Sequence, residues 1–223
     1  MLNGALNKAV RDGLIPGNPM KQLDKREKFQ PSPEEREFLT IEEVRTLMET
    51  PCTNEQVKKA FLLSCFVGLR LGDVRELTWA KVMNTPDGNT QYVHVWMEKT
   101  QKPINVPLSN EALRYMEKKE DPDAKLFKLP TSDATINYHI KKWMKAAKID
   151  KKISYHCSRH TFATIMLTLG ADLFTTSKLL GHANVTTTQI YGKIIDKKTE
   201  AVNLVDNLFT PKAELNDEDR TEA

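Results

Sequence analysis

The sequence predicts an α+β protein that is mostly helical and carries one small three-stranded antiparallel sheet. Apolar residues recur at helical spacing along most of the chain, and the pattern changes to short β-rich segments only between residues 79 and 106. The 223 residues are 39% hydrophobic and 28% charged, an ordinary balance for a soluble globular protein that excludes a collagen-like or wholly disordered chain. This length predicts one full domain plus a remnant.

Composition divides the chain into four segments. The first holds a short helix over residues 2–12, which a run of glycine and proline ends. The second is charged and interrupted by proline, which predicts a linker, and the last is acidic, which predicts disorder. The predicted segments are 1–20 (terminal helix), 21–37 (linker), 38–210 (main domain) and 211–223 (tail).

Local signals place the elements of the main domain. Thr40 and Glu43 are spaced as a capping box, so a helix is expected to begin there. The further predicted helices are 55–67, 71–77, 109–120, 132–147, 157–169 and 172–180, with a shorter candidate at 184–191 and a longer one at 196–209. The predicted strands are 79–83, 91–97 and 104–106, the first two joined by the turn sequence TPDGN.

Several chemistries are excluded by missing motifs. The sequence lacks the glycine loops of dinucleotide- and P-loop nucleotide-binding sites, the GxSxG elbow and the zinc motif HExxH. The three cysteines at 52, 65 and 157 form no CxxC pair, which argues against a disulfide framework and a zinc site. No cofactor and no metal are therefore expected. With no secretory signal and no bilayer-spanning stretch visible, a cytoplasmic protein is expected.

The net charge of +3 averages over two unlike regions. The last eleven residues carry five acids against one arginine, so the rest of the chain has a net charge of +7. Residues 141–160 alone hold seven Lys or Arg residues against one acid. Such a cluster suits contact with phosphates, although a solvated helix face is the plainer interpretation.

Cationic, histidine and tyrosine side chains remain as candidates for chemistry. Arg70 in GLRLGDVREL follows an apolar helix, so it either pairs with a nearby carboxylate or faces a ligand. His156 and Arg159 in SYHCSRHTFAT stand at a helix start, which forms either an anion site or a basic surface turn. His182 and Tyr191 lie in the segment LLGHANVTTTQIYGK. The plainer interpretation of Tyr191 is a packed ring whose hydroxyl is exposed to solvent.

In this order, these segments resemble the tyrosine recombinase, or phage integrase, family. The resemblance covers about residues 38–200 and rests on GLRLGDVREL, Lys99 in EKTQKP, HCSRH, LGH and the tyrosine nine residues beyond it. Residues 2–20 resemble the last helix of the family's preceding core-binding domain. The sequence departs from the family pattern at Gly72-Asp73 and at Ser158, neither of which is a catalytic position.

The resemblance implies a reaction and a set of roles. Tyr191 would attack a DNA phosphodiester and form a 3′-phosphotyrosyl link, with a free 5′-hydroxyl as the other product, without metal or ATP. Arg70 and Arg159 would grip the non-bridging oxygens. His156 would transfer a proton and contact the phosphate, and His182 would hydrogen-bond it. Lys99 would protonate the leaving oxygen, with Lys102 as its nearest rival, whereas His160 would support the fold.

The resemblance also implies partners. The protein would bind double-stranded DNA as a homo-tetramer whose protomers exchange their C-terminal helices. Without DNA, the chain is expected to be a monomer. The candidate DNA-backbone contacts are Lys102, Lys141, Lys142, Lys145, Lys148, Lys151 and Lys152. Two alternatives stay open: a non-catalytic DNA-binding protein that retains the fold, and, far behind it, a metal-free phosphohydrolase that acts on small esters.

Overall fold

The computed structural model describes residues 2–23, 37–97, 100–117 and 120–192. The chain divides into two units, residues 1–36 and 37–223. In the first unit, helix α1 (Leu2–Arg11) is followed by a 3₁₀ turn over Pro19–Lys21. The Asn18 side-chain amide donates to the Asn3 and Asn7 side chains, both at 2.7 Å, and these bonds hold the turn against α1.

Helices form most of the second unit. Helix α2 begins at the predicted capping box, in which Thr40 and Glu43 satisfy each other's backbone N–H groups. Helix α3 is buried along most of its length and ends at Gly68, whose φ of 69° is left-handed. The helices are α2 (Ile41–Glu49), α3 (Glu55–Val67), α4 (Leu71–Arg75), α5 (Asn110–Leu113), α6 (Asp133–Ala146), α7 (Cys157–Thr168), α8 (Leu173–Leu179) and α9 (Gln189–Gly192).

The predicted three-stranded antiparallel sheet is confirmed. Its strands are β1 (Val82–Asn84), β2 (Gln91–Met97) and β3 (Lys102–Leu108), in the order β1-β2-β3. Alternate residues of β2 are buried, as expected for a sheet that packs on the core with one face. Met97, the last residue of β2, pairs with Lys102, the first residue of β3.

Several predicted elements differ from the structure. Residues 79–81 form a 3₁₀ turn instead of a strand, and the Ala80 backbone N–H donates to the Pro122 carbonyl at 2.9 Å. The helix expected at 109–120 ends after Leu113, because the chain turns there to stack Tyr115 on Phe66. The third strand is longer than its three predicted residues.

The segment predicted as a helix over 184–191 is two short pieces, a 3₁₀ turn at Val185–Thr187 and helix α9. The Asn184 side chain accepts the Thr186 N–H at 2.9 Å and so closes the first piece. Most of the predicted linker, the helix candidate at 196–209 and the acidic tail lie outside the described residues.

In the part of the second unit that the structure describes, two hydrophobic clusters form the interior. The larger one, here called the major core, draws on α2, α3, α6 and the sheet and includes Phe61 and Trp143, which meet edge to face. The smaller one, here called the minor core, consists of Phe162, Ala163, Leu167, Leu180 and Tyr191. Helix α7 contributes to both clusters. None of the described helices is long and apolar enough to cross a membrane.

Candidate active site

The end of α3 places the first candidate arginine. Gly68 adopts the left-handed conformation that stops the helix, and Arg70 then becomes the N-cap of α4. The Asp73 carboxylate accepts the backbone N–H of Arg70 at 3.3 Å, so it fixes the start of α4. The Arg70 guanidinium is half-buried and lies 3.9 Å from the Met97 sulfur at the end of β2. Burial lowers the pKa of Arg70, and the Asp73 charge opposes that effect.

The second candidate arginine, Arg159, lies in the first turn of α7 and is only 3% exposed. Its Nη1 donates to the Gly68 carbonyl at 2.6 Å, and its Nη2 donates to the Leu180 carbonyl. Burial lowers the pKa of Arg159 to about 9; Arg70 acts in the same direction, whereas Tyr191 and Asp73 oppose it. A buried guanidinium whose pKa is lowered further by a neighbouring arginine is a site that an anion would stabilise.

The start of α7 is anchored by Tyr155. Its buried hydroxyl donates to the Ala60 carbonyl at 2.8 Å and lies 2.8 Å from the Ser64 hydroxyl, while its N–H donates to the Asn137 side chain. These bonds tie the turn to α3 and α6 and leave the next residue, His156, exposed as the N-cap of α7. Arg70, His156 and Arg159 therefore line one cavity of about 180 Å³.

The candidate nucleophile is buried. Tyr191 is 3% exposed and packs in the minor core, and its hydroxyl contacts Nδ1 of His160. The His160 ring in turn meets the His156 ring edge to face, with centroids 4.6 Å apart. The sequence interpretation gave His160 a role in the fold alone, but the structure places it against the tyrosyl hydroxyl.

His182 joins the same group through Thr188. Its Nδ1 lies 2.7 Å from the Thr188 hydroxyl, and the Thr188 carbonyl accepts the Tyr191 N–H at 3.0 Å. The preceding Gly181 has a left-handed φ of 61°, and a Cβ there would collide with the Met97 sulfur. The glycine therefore lets the turn that carries His182 pass close to the end of β2. No sequence signal singled out Thr188, because a buried threonine has no motif of its own.

Of the candidate lysines, Lys99 lies outside the described residues, and Lys102 is exposed at the start of β3. Lys142 is exposed, with its ammonium 5.6 Å from the centre of the Tyr138 ring. Lys151 differs from the others because it pairs with the Glu43 carboxylate at 2.6 Å. An open groove of about 1000 Å³ beside α6 gathers most of the cluster, namely Lys141, Lys145, Lys148, Lys151 and Lys152.

The fold is that of tyrosine recombinase catalytic domains, and the chain belongs to the phage integrase family, whose model matches residues 37–198. Among its relatives is the tyrosine recombinase XerA of Thermococcus onnurineus, 32% identical over 187 residues that cover 77% of this chain and 64% of that protein. XerD of Pseudomonas aeruginosa is 31% identical over 86% of this chain and 68% of its own length. A tyrosine recombinase of Pseudothermotoga lettingae is 29% identical over 75% of this chain, which spans 60% of that relative.

Solved structures support the fold. The catalytic domain of bacteriophage HP1 integrase matches 79% of this chain and 99% of its own, with a TM-score of 0.58 and 23% identity. A lambda integrase dimer bound to a COC′ core site matches 85% of this chain and 69% of its own, with a TM-score of 0.62 and 20% identity. XerA recombinase matches 79% of this chain and 66% of its own, with a TM-score of 0.57 and 25% identity.

Proposed function

We propose that this protein is a site-specific DNA recombinase that cuts and rejoins DNA through a 3′-phosphotyrosyl intermediate. The observation that carries the proposal is a cavity lined by two arginines and a histidine, with a second histidine packed next to that first one and a tyrosine packed next to the second. Arg70, His156 and Arg159 line that cavity, and the Tyr191 hydroxyl reaches the His pair through His160. Family membership supports the same reaction, and the similarity of the chain to the lambda integrase–DNA complex supports DNA as the partner.

In the proposed cleavage step, the Tyr191 oxygen forms a bond to phosphorus and the bond from phosphorus to the 5′-oxygen breaks. The tyrosyl proton passes to a histidine of the site, for which His156 is the candidate, and Lys99 supplies a proton to the leaving oxygen. A phenol with an ordinary pKa near 10 is a weak nucleophile, so removal of its proton matters. Rejoining reverses these transfers, because the phosphotyrosyl bond keeps the energy of the broken linkage.

The cationic groups would stabilise the transition state. A pentacoordinate phosphate carries more charge on its non-bridging oxygens than the ground state does, and the planar forks of Arg70 and Arg159 match that geometry. His182, held by Thr188, would donate a further hydrogen bond. No metal and no ATP are assigned to this chemistry, since side-chain cations perform the charge neutralisation.

The basic groove beside α6 is proposed to hold the DNA backbone. Lys141, Lys145, Lys148 and Lys152 line it as exposed cations, which would give a salt-sensitive affinity with little sequence content. Lys142 and Lys102 are exposed and are kept as further contacts. Lys151 contributes less free charge, because Glu43 neutralises it.

Larger-scale features are proposals drawn from the family. Residues 1–20 would be the end of a core-binding domain, 21–37 a linker, 38–210 the catalytic domain and 211–223 a tail. On DNA the protein would assemble as a homo-tetramer, with residues 196–209 passed to a neighbouring protomer. A cytoplasmic location fits these roles.

A covalent trapping experiment tests the function. The full chain is incubated with a library of nicked duplexes of randomised core sequence, in which loss of the short cleaved end prevents rejoining. Protein–DNA adducts are then precipitated in detergent and sequenced. We expect enrichment of one core sequence with the native chain and no adduct with Tyr191→Phe, which removes only the nucleophilic oxygen. An adduct that persists in Tyr191→Phe would contradict the assignment of the nucleophile.

A non-catalytic DNA-binding protein is the second candidate, and one observation favours it. Tyr191 is buried and its hydroxyl is engaged by His160, so the described conformation does not present the nucleophile to a substrate. Salt-sensitive binding of the library at high protein concentration, with no adduct under any condition, would favour this candidate over the recombinase.

A further inference from the structure

His160 is buried beside the proposed chemistry. It is 5% exposed and lies four residues after His156, so the two rings share a face of α7 and meet edge to face. A buried imidazole must place its ring nitrogens against hydrogen-bonding groups. The Nδ1 atom of His160 contacts the Tyr191 hydroxyl across 31 residues of sequence, with the ring centroids 5.6 Å apart.

Because Tyr191 is buried, its contact with His160 matters for stability. A tyrosine that is 3% exposed must place its hydroxyl against a hydrogen-bonding group, because leaving it unsatisfied costs roughly 1–3 kcal/mol. The other members of the minor core, Phe162, Ala163, Leu167 and Leu180, have apolar side chains that cannot hydrogen-bond. His160 supplies a hydrogen-bonding group to the hydroxyl.

The imidazole can hold the tyrosyl oxygen in either state of the nucleophile. When Nδ1 carries no proton, the Tyr191 hydroxyl donates to it; when Nδ1 is protonated, it donates to the tyrosinate oxygen. Both arrangements keep the oxygen at the same place relative to α7. That helix also carries Arg159, so one rigid element sets the nucleophile and a phosphate-binding guanidinium together.

We propose that His160 is a positioning residue for the Tyr191 nucleophile, a role that no motif in the sequence assigned to it. This proposal rests on the proposed recombinase function. Misplacement of a reacting atom by about 1 Å can cost on the order of 10²-fold in rate, so loss of the contact is expected to be visible in the cleavage rate.

Two substitutions separate positioning from packing. His160→Leu keeps an apolar side chain of similar bulk and removes the Nδ1 atom. His160→Asn is smaller, yet it places an amide close to where Nδ1 lies, so a hydrogen bond to Tyr191 can form again. A purely structural role predicts that Asn is the worse replacement, and a positioning role predicts that Leu is.

The first measurement needs no DNA. Tyrosine ring carbons beside the hydroxyl are labelled with ¹³C, and the Tyr191 resonance is identified by its loss in Tyr191→Phe. We expect His160→Leu to shift this resonance and His160→Asn to leave it near its native position. If Leu leaves the resonance unmoved while the protein stays folded, the contact does not hold the hydroxyl and the proposal is wrong.

The second measurement is the rate of covalent adduct formation on the trapped core sequence. We expect His160→Leu to be slower by at least about tenfold and His160→Asn to stay within about threefold of the native rate. His94→Asn serves as the matched control, since His94 is an exposed histidine that bonds to Asn105 on the sheet, and its rate should equal the native one. Equal rates for Leu and native, or a slower Asn than Leu, would overturn the positioning role.

The outcomes distinguish the two proposals. If the native chain forms no adduct, the recombinase function fails, and the resonance of Tyr191 still reports whether His160 holds its hydroxyl. If the native chain forms the adduct but His160→Leu is not slower than His160→Asn, the positioning role is wrong and the recombinase function stands. Should His160→Leu not fold, as judged by its unfolding temperature, His160→Gln replaces it, because Gln extends its amide past the Nδ1 position.

Discussion

The major and minor cores of the catalytic unit differ in size and in what they carry. The major core is assembled from several helices and the sheet, and its side chains, such as Phe61 and Trp143, are fully buried. Among the described residues, the minor core has five buried members, and one of them is the candidate nucleophile Tyr191. Most of the apolar packing is thus concentrated in one region, and the candidate nucleophile lies in the other.

Arg159 is the bridge between these regions. It donates to the carbonyl of Gly68 at the end of α3 and to that of Leu180 at the end of α8. A single buried guanidinium therefore sets the distance between the major core and the turn that leads to His182 and Tyr191. Substitutions on either side of this bridge should separate effects on folding from effects on cleavage.

The largest effect on stability is expected in the major core. Phe61→Ala removes a ring that meets Trp143 and Tyr155 edge to face and should lower the free energy of unfolding by about 3–5 kcal/mol. Leu167→Ala is the matched change in the minor core and should cost about 2 kcal/mol, with faster hydrogen exchange in α9. Chemical denaturation measures both. An equal loss at the two positions would show that the two cores form one cooperative layer.

Arg159→Lys should act mainly on cleavage. Lysine keeps the charge but loses the planar fork that is proposed to donate to the phosphate oxygens. Loss of one donor to a developing oxyanion costs about 10²–10³-fold in rate. Arg114→Lys is the control, because Arg114 is an exposed arginine that pairs with Glu111 and does not line the cavity. Adduct formation should fall in the first variant and stay near native in the second. Equal rates in the two would remove Arg159 from the proposed site.

Gly68→Ala tests the close contact between Gly68, whose carbonyl accepts a hydrogen bond from Arg159, and the Phe162 ring. Its φ of 69° is costly for alanine, and the new Cβ would lie 2.5 Å from Phe162 Cδ1. We expect a loss of about 2–3 kcal/mol in unfolding free energy, against about 1 kcal/mol for Gly88→Ala, a left-handed hairpin glycine with open space around it. Thermal unfolding of the two variants gives the comparison. If both lose the same amount, backbone strain accounts for the cost and the packing contact does not.

The smallest effect on stability is expected for Arg70→Gln. Burial, and after it the charge of Arg70, lower the pKa of Arg159 to about 9. The folded state therefore binds that proton less tightly than the unfolded chain does, and charged Arg159 costs stability below about pH 9. Removal of the Arg70 charge should relieve part of that cost at neutral pH. The unfolding temperature should therefore stay equal or rise while adduct formation is lost. A fall of several degrees would show that Arg70 supports the fold instead.

Much of the architecture could be predicted from local sequence. The Thr40–Glu43 capping box, the buried helix that ends at Gly68 and the turn between β1 and β2 all form as their residues predict, because each depends on short-range hydrogen bonds and backbone preference. The prediction of a helix over 109–120 is wrong, because a long-range contact decides the structure of that segment. Stacking of Tyr115 on Phe66 is a tertiary contact that overrides the helical tendency of that segment.

By itself, the sequence determined the fold class and the set of side chains able to handle a phosphate, because ordered motifs and periodicity record local requirements. Only the tertiary structure decided how those side chains meet: that Arg159 spans two helix ends, that Lys151 is neutralised by Glu43, and that His160 faces the Tyr191 hydroxyl. These contacts join residues 21 to 108 positions apart, and no local pattern specifies them. They arise from packing, in which each buried polar group must find a partner.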